Sequence, residues 1–316
     1  MQSLTEAVKH WIHWCHGDQA AVLGEAAADA VARMAALSPY PQPILTAEVG
    51  SGDAICRGYA VACQGAVGYL GRLRCNVSDG VQSELLAQVA SDLCHQTLGT
   101  GVEMVQAILP ANENDPWTIR ISQAFQRAGM THAARLLQLE CCDVPLRHDG
   151  SPLALDFFPL EFHPFTEMPW DEWCQLVEET YIATLDVPIL NGVRSVEQTL
   201  QGYAVGHGLE ASLPWWSVHV EGAAIGCLIL TPLPGSDCEL TYLGLVPTAR
   251  GHRYSPEIMD FVSRWMVEHH KSRIVLAVDS KNAPALHLYA SFGFEEMAAL
   301  DAWFMGQQAA APYGVD

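Results

Sequence analysis

Two arginines, Arg250 and Arg253, lie in a short loop that leads from an apolar strand into a helix, in the stretch VPTARGHRYSPEIM. They are the only basic residues between Arg194 and Arg264. A turn that enters a helix presents unpaired backbone N–H groups and the positive end of the helix dipole, so the pattern suits a phosphate. A solvated turn explains the same residues equally well.

The net charge limits the classes of partner. The chain of 316 residues has 36 acidic and 16 basic residues, a net charge of −20. Phosphate backbones and anionic membrane surfaces repel such a protein, so we expect neither nucleic acid nor a membrane as its main partner. No apolar run reaches the length of a membrane span. A small ligand or a cationic substrate fits the charge better.

The cysteines and histidines favour structural roles. Ten cysteines without a CxxC pair or a signal-peptide pattern predict reduced, mostly buried thiols in a cytoplasmic protein. The stretch HWIHWCH places His10, His13 and His16 at helical spacing beside Cys15. A metal site is one interpretation, but no partner motif follows, so we favour a plain amphipathic helix and predict no metal.

The order of predicted elements indicates an α/β fold built twice. In the second half, strands in WWSVHVEG, AAIGCLILTPL and CELTYLGLV precede a helix from about Ser255, the strand RIVLAVD and the helix NAPALHLYASF. The first half repeats the order strand, helix, strand, helix, strand. Pro and Gly residues between Cys141 and Leu153 predict a linker. We therefore predict two domains, residues 1–143 and 155–308.

Two motifs resemble those of the GNAT acetyltransferase superfamily. YLGLVPTARGHRYSPEIM is similar to the family's strand, turn and RxxGxG/A loop, and LAVDSKNAPALHLYASFGF is similar to its N-x-x-A-x-x-L-Y-x-x-x-G-F motif. The resemblance implies two tandem GNAT-like domains, each with a mixed, mostly antiparallel sheet flanked by helices, as in tandem-GNAT proteins such as mycothiol synthase. In the first half, RCNVSDGVQS lacks the RxxG loop, so we interpret that half as a degenerate scaffold.

The resemblance implies acetyl-CoA as cosubstrate. The backbone of Leu245 and Val246 would pair with the pantetheine arm in a gap between splayed strands. The cofactor loop would hold the pyrophosphate, and a later asparagine, Asn282, would contact the CoA arm or cap its helix. The residues of this predicted loop are Arg250, Gly251, His252, Arg253, Tyr254 and Ser255.

The loop departs from the family pattern at three positions. Arg253 stands where the family has its first Gly, and Ser255 stands where it has Gly or Ala, followed by Pro256. We expect Ser255 to cap the helix and Pro256 to be its first residue. A self-capped helix, with Glu257 in its first turn, has less to offer a phosphate.

Glu239 and Tyr289 are the candidate catalytic residues. An alkylamine with a pKa of about 10.4 is almost fully protonated at neutral pH, so acetyl transfer to it requires a base. Glu239 matches the base position of some relatives, and strand alternation predicts that it shares a face with Thr241, Leu243 and Leu245. Tyr289 matches the tyrosine that protonates the leaving thiolate. The alternatives are an exposed carboxylate and a core aromatic.

The acceptor site is predicted in the segment Thr184 to Ser195, where Asn191 and Arg194 are candidate substrate-binding residues. A structured turn around Pro188 and Gly192 explains both equally well. We predict an N-acetyltransferase that moves an acetyl group from acetyl-CoA to the primary amine of a small molecule. The alternative is a non-catalytic tandem module that has weakened or lost CoA binding and recognises another ligand or a protein.

Overall fold

The computed structural model describes residues 5–16, 21–77, 82–142, 160–204 and 213–307. Most of the linker predicted between Cys141 and Leu153 lies outside these residues, and so does the stretch LALDFFPL, whose composition predicts a strand, apart from its last residue, Leu160. Within the described residues the predicted order of helices and strands is confirmed.

The helices of the described residues are α1 (Glu6–His16), α2 (Ala21–Ala36), α3 (Gln82–Leu98), α4 (Pro116–Arg127), α5 (Trp170–Tyr181), α6 (Val196–Tyr203), α7 (Tyr254–Glu268) and α8 (Ala283–Ser291). The strands are β1 (Ile44–Ser51), β2 (Ala54–Cys63), β3 (Val67–Leu70), β4 (Arg74–Cys75), β5 (Met104–Pro110), β6 (Thr131–Cys141), β7 (Glu161–Pro164), β8 (Trp215–Val220), β9 (Ala223–Pro232), β10 (Asp237–Leu245), β11 (Arg273–Asp279) and β12 (Glu295–Gly306).

The described residues form two compact units. The first contains residues up to 133 together with 192–204 and 301–307, and the second contains the described residues of 134–191 and 213–300. Helix α6 is thus grouped with the first unit, whereas the sequence placed it in the C-terminal domain. The predicted domains 1–143 and 155–308 describe the two copies of the sequence repeat, and this division remains a prediction.

In the first unit, β2 pairs antiparallel with β1, β3 and β4, and β3 pairs parallel with β5. Helix α3 buries Leu86, Val89 and Leu93 in the core of this unit. Gly58 in β2 permits this close packing, because a Cβ there would lie 2.8 Å from the Leu93 Cδ1 atom.

In the second unit, β11 pairs antiparallel with β6 and parallel with β10, and β9, β8 and β7 extend the sheet through antiparallel pairs. Trp215 stacks with Trp173 of α5, whereas its neighbour Trp216 packs edge-on against Phe261 and Trp265 of α7. Because side chains alternate along a strand, α5 and α7 cover opposite faces of this sheet.

Both units contain the same crossover. A helix joins two parallel neighbours in each, α3 between β3 and β5 and α7 between β10 and β11. Both sheets are otherwise mostly antiparallel, so the predicted α/β class and mixed sheets are confirmed. The shared crossover supports the predicted duplication.

The buried thiols agree with the sequence prediction. Eight cysteines are buried, Cys174 is half-buried and Cys142 is exposed. Helix α1 buries Cys15 and Ile12, and burial raises the pKa of the Cys15 thiol to about 12. Among the described residues, no cluster of His, Cys, Asp and Glu has the arrangement of a metal site, and none of the helices could span a bilayer.

Candidate active site

The parallel strands β10 and β11 pair only at their beginnings. The paired residues are Asp237 with Arg273, Cys238 with Ile274, and Glu239 with Val275. Beyond them β10 continues along β9 while β11 continues along β6. The two strands therefore diverge after Glu239. An extended ligand arm can add to a strand edge in such a gap.

A β-bulge at Thr241 changes the faces of β10. Leu240 pairs with Leu230 and Tyr242 with the next residue, Ile229, so one extra residue is inserted in β10. Glu239 consequently shares a face with Tyr242 and Gly244. The predicted shared face with Leu243 and Leu245 is wrong, because the bulge reverses the alternation.

The face of Glu239 is covered by helix α5. The hydroxyls of Thr180 and Tyr242 are 2.7 Å apart and form a hydrogen bond. Gly244 leaves room for this pair, because a Cβ there would lie 2.7 Å from the Thr180 oxygen and 2.7 Å from the Tyr242 hydroxyl. The absence of a side chain at Gly244 therefore fixes how closely α5 lies to β10.

Glu239 is half-buried beside the divergence point. Burial raises the pKa of its carboxyl above the usual value. Among the described residues, none donates a hydrogen bond to this carboxylate or forms an ion pair with it. A carboxylate that has a raised pKa and no hydrogen-bond donor among the described residues is suited to accept a proton.

Arg250 is held by backbone carbonyls. Its Nε donates to the Leu245 oxygen at 3.0 Å, its Nη1 to Ala183 at 3.0 Å and its Nη2 to Thr180 at 2.9 Å. These bonds join the start of the loop to the C-terminal end of α5, where carbonyls lack helical partners. The guanidinium thus acts first as a clamp within the protein, and the predicted phosphate contact is not supported by this geometry.

The predicted backbone contacts at Leu245 and Val246 also have internal partners. The Val246 N–H donates to Ile225 at 3.0 Å, and the Val246 oxygen accepts from Ala249 at 2.9 Å. The Leu245 oxygen accepts from Arg250. Because strand groups alternate between the two edges, a Val246 N–H directed to β9 places the Leu245 N–H at the other edge of β10, on the side of the gap.

The loop adopts left-handed backbone angles at two positions. Gly251 has φ +79° and Arg253 has φ +61°. Arg253 therefore keeps the backbone geometry that suits the family's glycine, at a cost of about 1–2 kcal/mol because its Cβ crowds the backbone. Beside this turn, the rings of His252 and Tyr254 stack at 5.8 Å.

Helix α7 begins earlier than the sequence predicts. Arg253 is its N-cap, and no described side chain caps it. The predicted roles of Ser255 as cap and Pro256 as first residue are wrong, because they occupy the second and third helical positions. Pro256 removes one of the unpaired donors. The Glu257 carboxylate accepts a hydrogen bond from the Leu160 N–H at 2.7 Å. This bond offsets part of the negative charge that Glu257 places in the first turn of α7.

Two aspartates link the predicted acceptor segment to the end of β11. Asp186 Oδ1 accepts from the Asp279 N–H at 2.9 Å, and Asp279 Oδ2 accepts from the Val187 N–H at 3.3 Å. Val187 has φ +43°, a strained angle for a β-branched residue. Burial, with a smaller contribution from Asp279, raises the pKa of Asp186. No motif in the sequence marks Asp186 as a site residue.

Tyr289 is buried on α8, and its ring packs against Phe294. Burial chiefly, and the nearby charge of Asp186, raise the pKa of its phenol. The phenol is protonated at neutral pH, so Tyr289 has a proton to donate, although burial makes it a weaker acid than a solvated tyrosine. Asn282 caps α8 through Ala285 N–H at 3.3 Å, so its predicted capping role is confirmed and its amide group retains donors.

Asn191 and Arg194 have backbone partners. The Asn191 side chain donates to the Tyr181 oxygen at 3.1 Å, and the Arg194 Nη1 donates to the Gly65 oxygen at 2.6 Å. The first bond lies in the second unit and the second bond in the first unit. The two residues belong to different units, and their substrate roles remain predictions.

Comparisons with known proteins agree with this geometry. Residues 170–294 match the model of the acetyltransferase (GNAT) family. This match identifies a GNAT domain in the C-terminal part of the chain and confirms the resemblance drawn from its motifs. A search of curated proteins found no match, so the particular similarity to mycothiol synthase remains a prediction.

Solved structures share the fold at low identity. A GCN5-related N-acetyltransferase from Sphaerobacter thermophilus is 12% identical with a TM-score of 0.50, covering 80% of both chains. A functionally unknown conserved protein from Staphylococcus epidermidis is 10% identical with a TM-score of 0.52, covering 82% of this chain and 94% of its own. Both support the fold alone. The family match and the fold together support acyl transfer in general.

Proposed function

We propose that the protein is an N-acetyltransferase that moves an acetyl group from acetyl-CoA to the primary amine of a small molecule. The observation that carries this proposal is the gap between β10 and β11, which opens beside the unpaired carboxylate of Glu239. A pantetheine arm would add to β10 in this gap. Tyr289 follows on α8, directly after the strand that forms the other side of the gap.

In the proposed reaction Glu239, directly or through a water, takes a proton from the protonated amine, and the neutral nitrogen then attacks the carbonyl carbon of the thioester. The tetrahedral intermediate loses its second nitrogen proton to solvent as the carbon–sulfur bond breaks. Tyr289 donates its proton to the leaving thiolate, and the products are the amide and CoA. A positioned acid and base of this kind typically contribute about 10²–10⁴-fold each.

The proposed cofactor contacts follow from the geometry of the loop. Gly251, His252 and Arg253 turn toward the start of α7, where the N–H groups of the first turn would meet the pyrophosphate together with the Arg253 side chain. Arg250 would fix the shape of the loop. The Asn282 amide would reach the CoA arm while its oxygen caps α8.

An amine acceptor agrees with the local charge. The half-buried Asp186 lies near Tyr289 and accepts a hydrogen bond from the backbone N–H of the buried Asp279. Two neighbouring carboxylates attract a cation, and a protonated amine carries that charge.

The alternative function is a non-catalytic binding module. It is favoured by the internal hydrogen bonds of Arg250 and Val246 and by Pro256, which together leave fewer donors for a pyrophosphate. Each lost charged contact costs about 1.5–3 kcal/mol. The same loop would then keep its shape without holding CoA.

The experiment that separates these functions is calorimetric titration with acetyl-CoA and with free CoA, followed by a panel of small primary amines. Turnover should be followed by the loss of thioester absorbance, because the exposed Cys142 would react with a thiol reagent. Micromolar binding and amine-dependent thioester loss support the enzyme. Absence of binding at millimolar CoA would favour the binding module.

A further inference from the structure

The first unit contains a cavity of about 390 Å³ with an unusual lining. Three arginines line it, Arg72, Arg74 and Arg120, together with Gln82 and Trp117. Among the described residues that line it, none is acidic. In a chain with a net charge of −20, such a concentration of positive charge requires an explanation.

Two of the three arginines are held in place by neutral acceptors. Arg74 Nη1 donates to the Trp14 carbonyl at 2.9 Å, and Arg120 Nη1 donates to the Gln82 side-chain oxygen at 3.0 Å. Both acceptors are neutral. Arg72 is exposed at the rim, and none of the three forms an ion pair with a carboxylate of the described residues.

A neighbouring arginine shows the usual arrangement in this unit. Arg57 forms an ion pair with Glu48 and lies over the rings of Trp11 and Trp14. The charge of Arg57 is therefore balanced within the protein. Within the described part of the chain the cavity arginines have no such carboxylate, and each guanidinium has five N–H groups, so they retain donors for a ligand.

The charge of Arg72 affects the groups around it. It contributes, after burial, to the lowered pKa of His16, which also lines the cavity. Hydrogen bonds from Thr118 chiefly, and the charge of Arg72 to a smaller extent, lower the pKa of Asp115, whose oxygens cap α4 through the N–H groups of Trp117 and Thr118. The Asp115 carboxylate is therefore occupied by the N-terminus of α4, and it is not among the residues that line the cavity.

We propose that this cavity binds the phosphate group of a small molecule. The N–H groups of a guanidinium match the oxygens of a phosphate in geometry. Three guanidinium charges suit a multiply charged phosphate better than they suit a ligand with a single carboxylate. The volume falls within the roughly 300–1,000 Å³ typical of small-molecule sites. Trp117 supplies a flat apolar surface for the remainder of the ligand. The proposal concerns the first unit and does not depend on the function of the second.

The sequence motifs did not indicate this site. The stretch from Arg74 to Ser83 lacks the RxxG loop, and that half was therefore interpreted as a scaffold. The additional cations come from Arg72, before that stretch, and from Arg120, on a helix that begins more than thirty residues later in the chain. The fold alone brings them together.

The test is calorimetric titration of the full chain with pyrophosphate, at low and at moderate salt. We expect saturable binding that weakens as salt rises, because the contact is charge with charge. Succinate and sulfate are the comparison ligands. Binding of succinate as tight as that of pyrophosphate would overturn the phosphate assignment, and so would an absence of saturation at millimolar pyrophosphate.

Variants locate the binding. Arg72→Gln and Arg120→Gln should each weaken pyrophosphate binding by at least about tenfold, whereas Arg127→Gln, an exposed arginine on the same helix, should leave it within about twofold. Arg72 is exposed, so we expect its replacement to leave the fold intact. The Arg72→Gln variant therefore tests the proposal even if Arg120→Gln fails to fold. Binding that is lost in Arg253→Gln and kept in Arg72→Gln would assign pyrophosphate to the C-terminal loop and overturn the proposal.

Discussion

Asp186 accepts a hydrogen bond from the backbone N–H of Asp279, and Asp279 accepts one from the N–H that follows Asp186. This reciprocal pair joins the predicted acceptor segment to the end of β11. It also holds Val187 at its strained positive φ. The pair thus fixes the loop and places negative charge near Tyr289 at the same time.

Asp186→Asn should stabilise the protein at neutral pH. The raised folded pKa of Asp186 means that the folded state binds its proton more tightly than the unfolded state, whose pKa is about 3.9. Stability from this group is therefore fully present below that pKa and is lost as pH rises through the folded pKa. The amide keeps the acceptor for Asp279 and carries no charge.

The measurement is the melting temperature of both proteins across pH. The gain from Asp186→Asn should be largest at neutral pH and should shrink as pH falls toward 4. Asp171→Asn, at an exposed position on α5, is the control. An equal gain at every pH would show that the charge of Asp186 is not the cause.

Arg250→Gln should lower stability more than it lowers affinity for CoA. The variant removes hydrogen bonds to three carbonyls, and a charged hydrogen bond contributes about 1.5–3 kcal/mol. We expect a loss of at least about 3 kcal/mol in the free energy of unfolding. Arg264→Gln, an exposed position on α7, should change it by less than about 0.5 kcal/mol. If Arg250→Gln had normal stability but weakened CoA binding, Arg250 would instead have the predicted role of a phosphate contact.

Arg253→Gly should relieve backbone strain. Glycine adopts φ +61° without the clash of a Cβ, so we expect a gain of about 1 kcal/mol relative to Arg253→Ala, which keeps the Cβ. Denaturant unfolding of both variants measures it. The comparison with Ala separates the backbone effect from the loss of the guanidinium. Equal stabilities would mean that the turn carries no strain.

The sequence predicted the elements better than it predicted the details of the site. Hydrophobic periodicity predicted β11 and α8 closely, because apolar spacing depends on the face that each element buries. The bulge at Thr241 was missed because a threonine fits a regular strand equally well. The internal bonds of Arg250 and the link between Asp186 and Asp279 were missed because each joins segments far apart in the chain, and no local pattern records such contacts.

Glu239→Gln should remove the acidic limb of the pH profile. A base must be deprotonated to act, so kcat/KM should rise as pH rises through a pKa that burial has raised above the usual carboxyl value. The variant should lose about 10²–10⁴-fold in kcat and show no such limb. Glu268→Gln, an exposed carboxylate on α7, should retain the full profile. An unchanged profile in Glu239→Gln would assign the base to another group.

Tyr289→Phe should lower kcat while leaving the binding of CoA nearly unchanged. The substitution removes only the hydroxyl from a buried ring, so the packing against Phe294 remains. Without the donor, the thiolate leaves unprotonated, and we expect a loss of about 10²-fold or more in kcat. Calorimetry with free CoA, beside turnover, separates this effect from a binding defect. Tyr40→Phe, in the first unit, is the matched control. A parallel loss of CoA affinity in Tyr289→Phe would mean that the ring, and not its proton, is what the site requires.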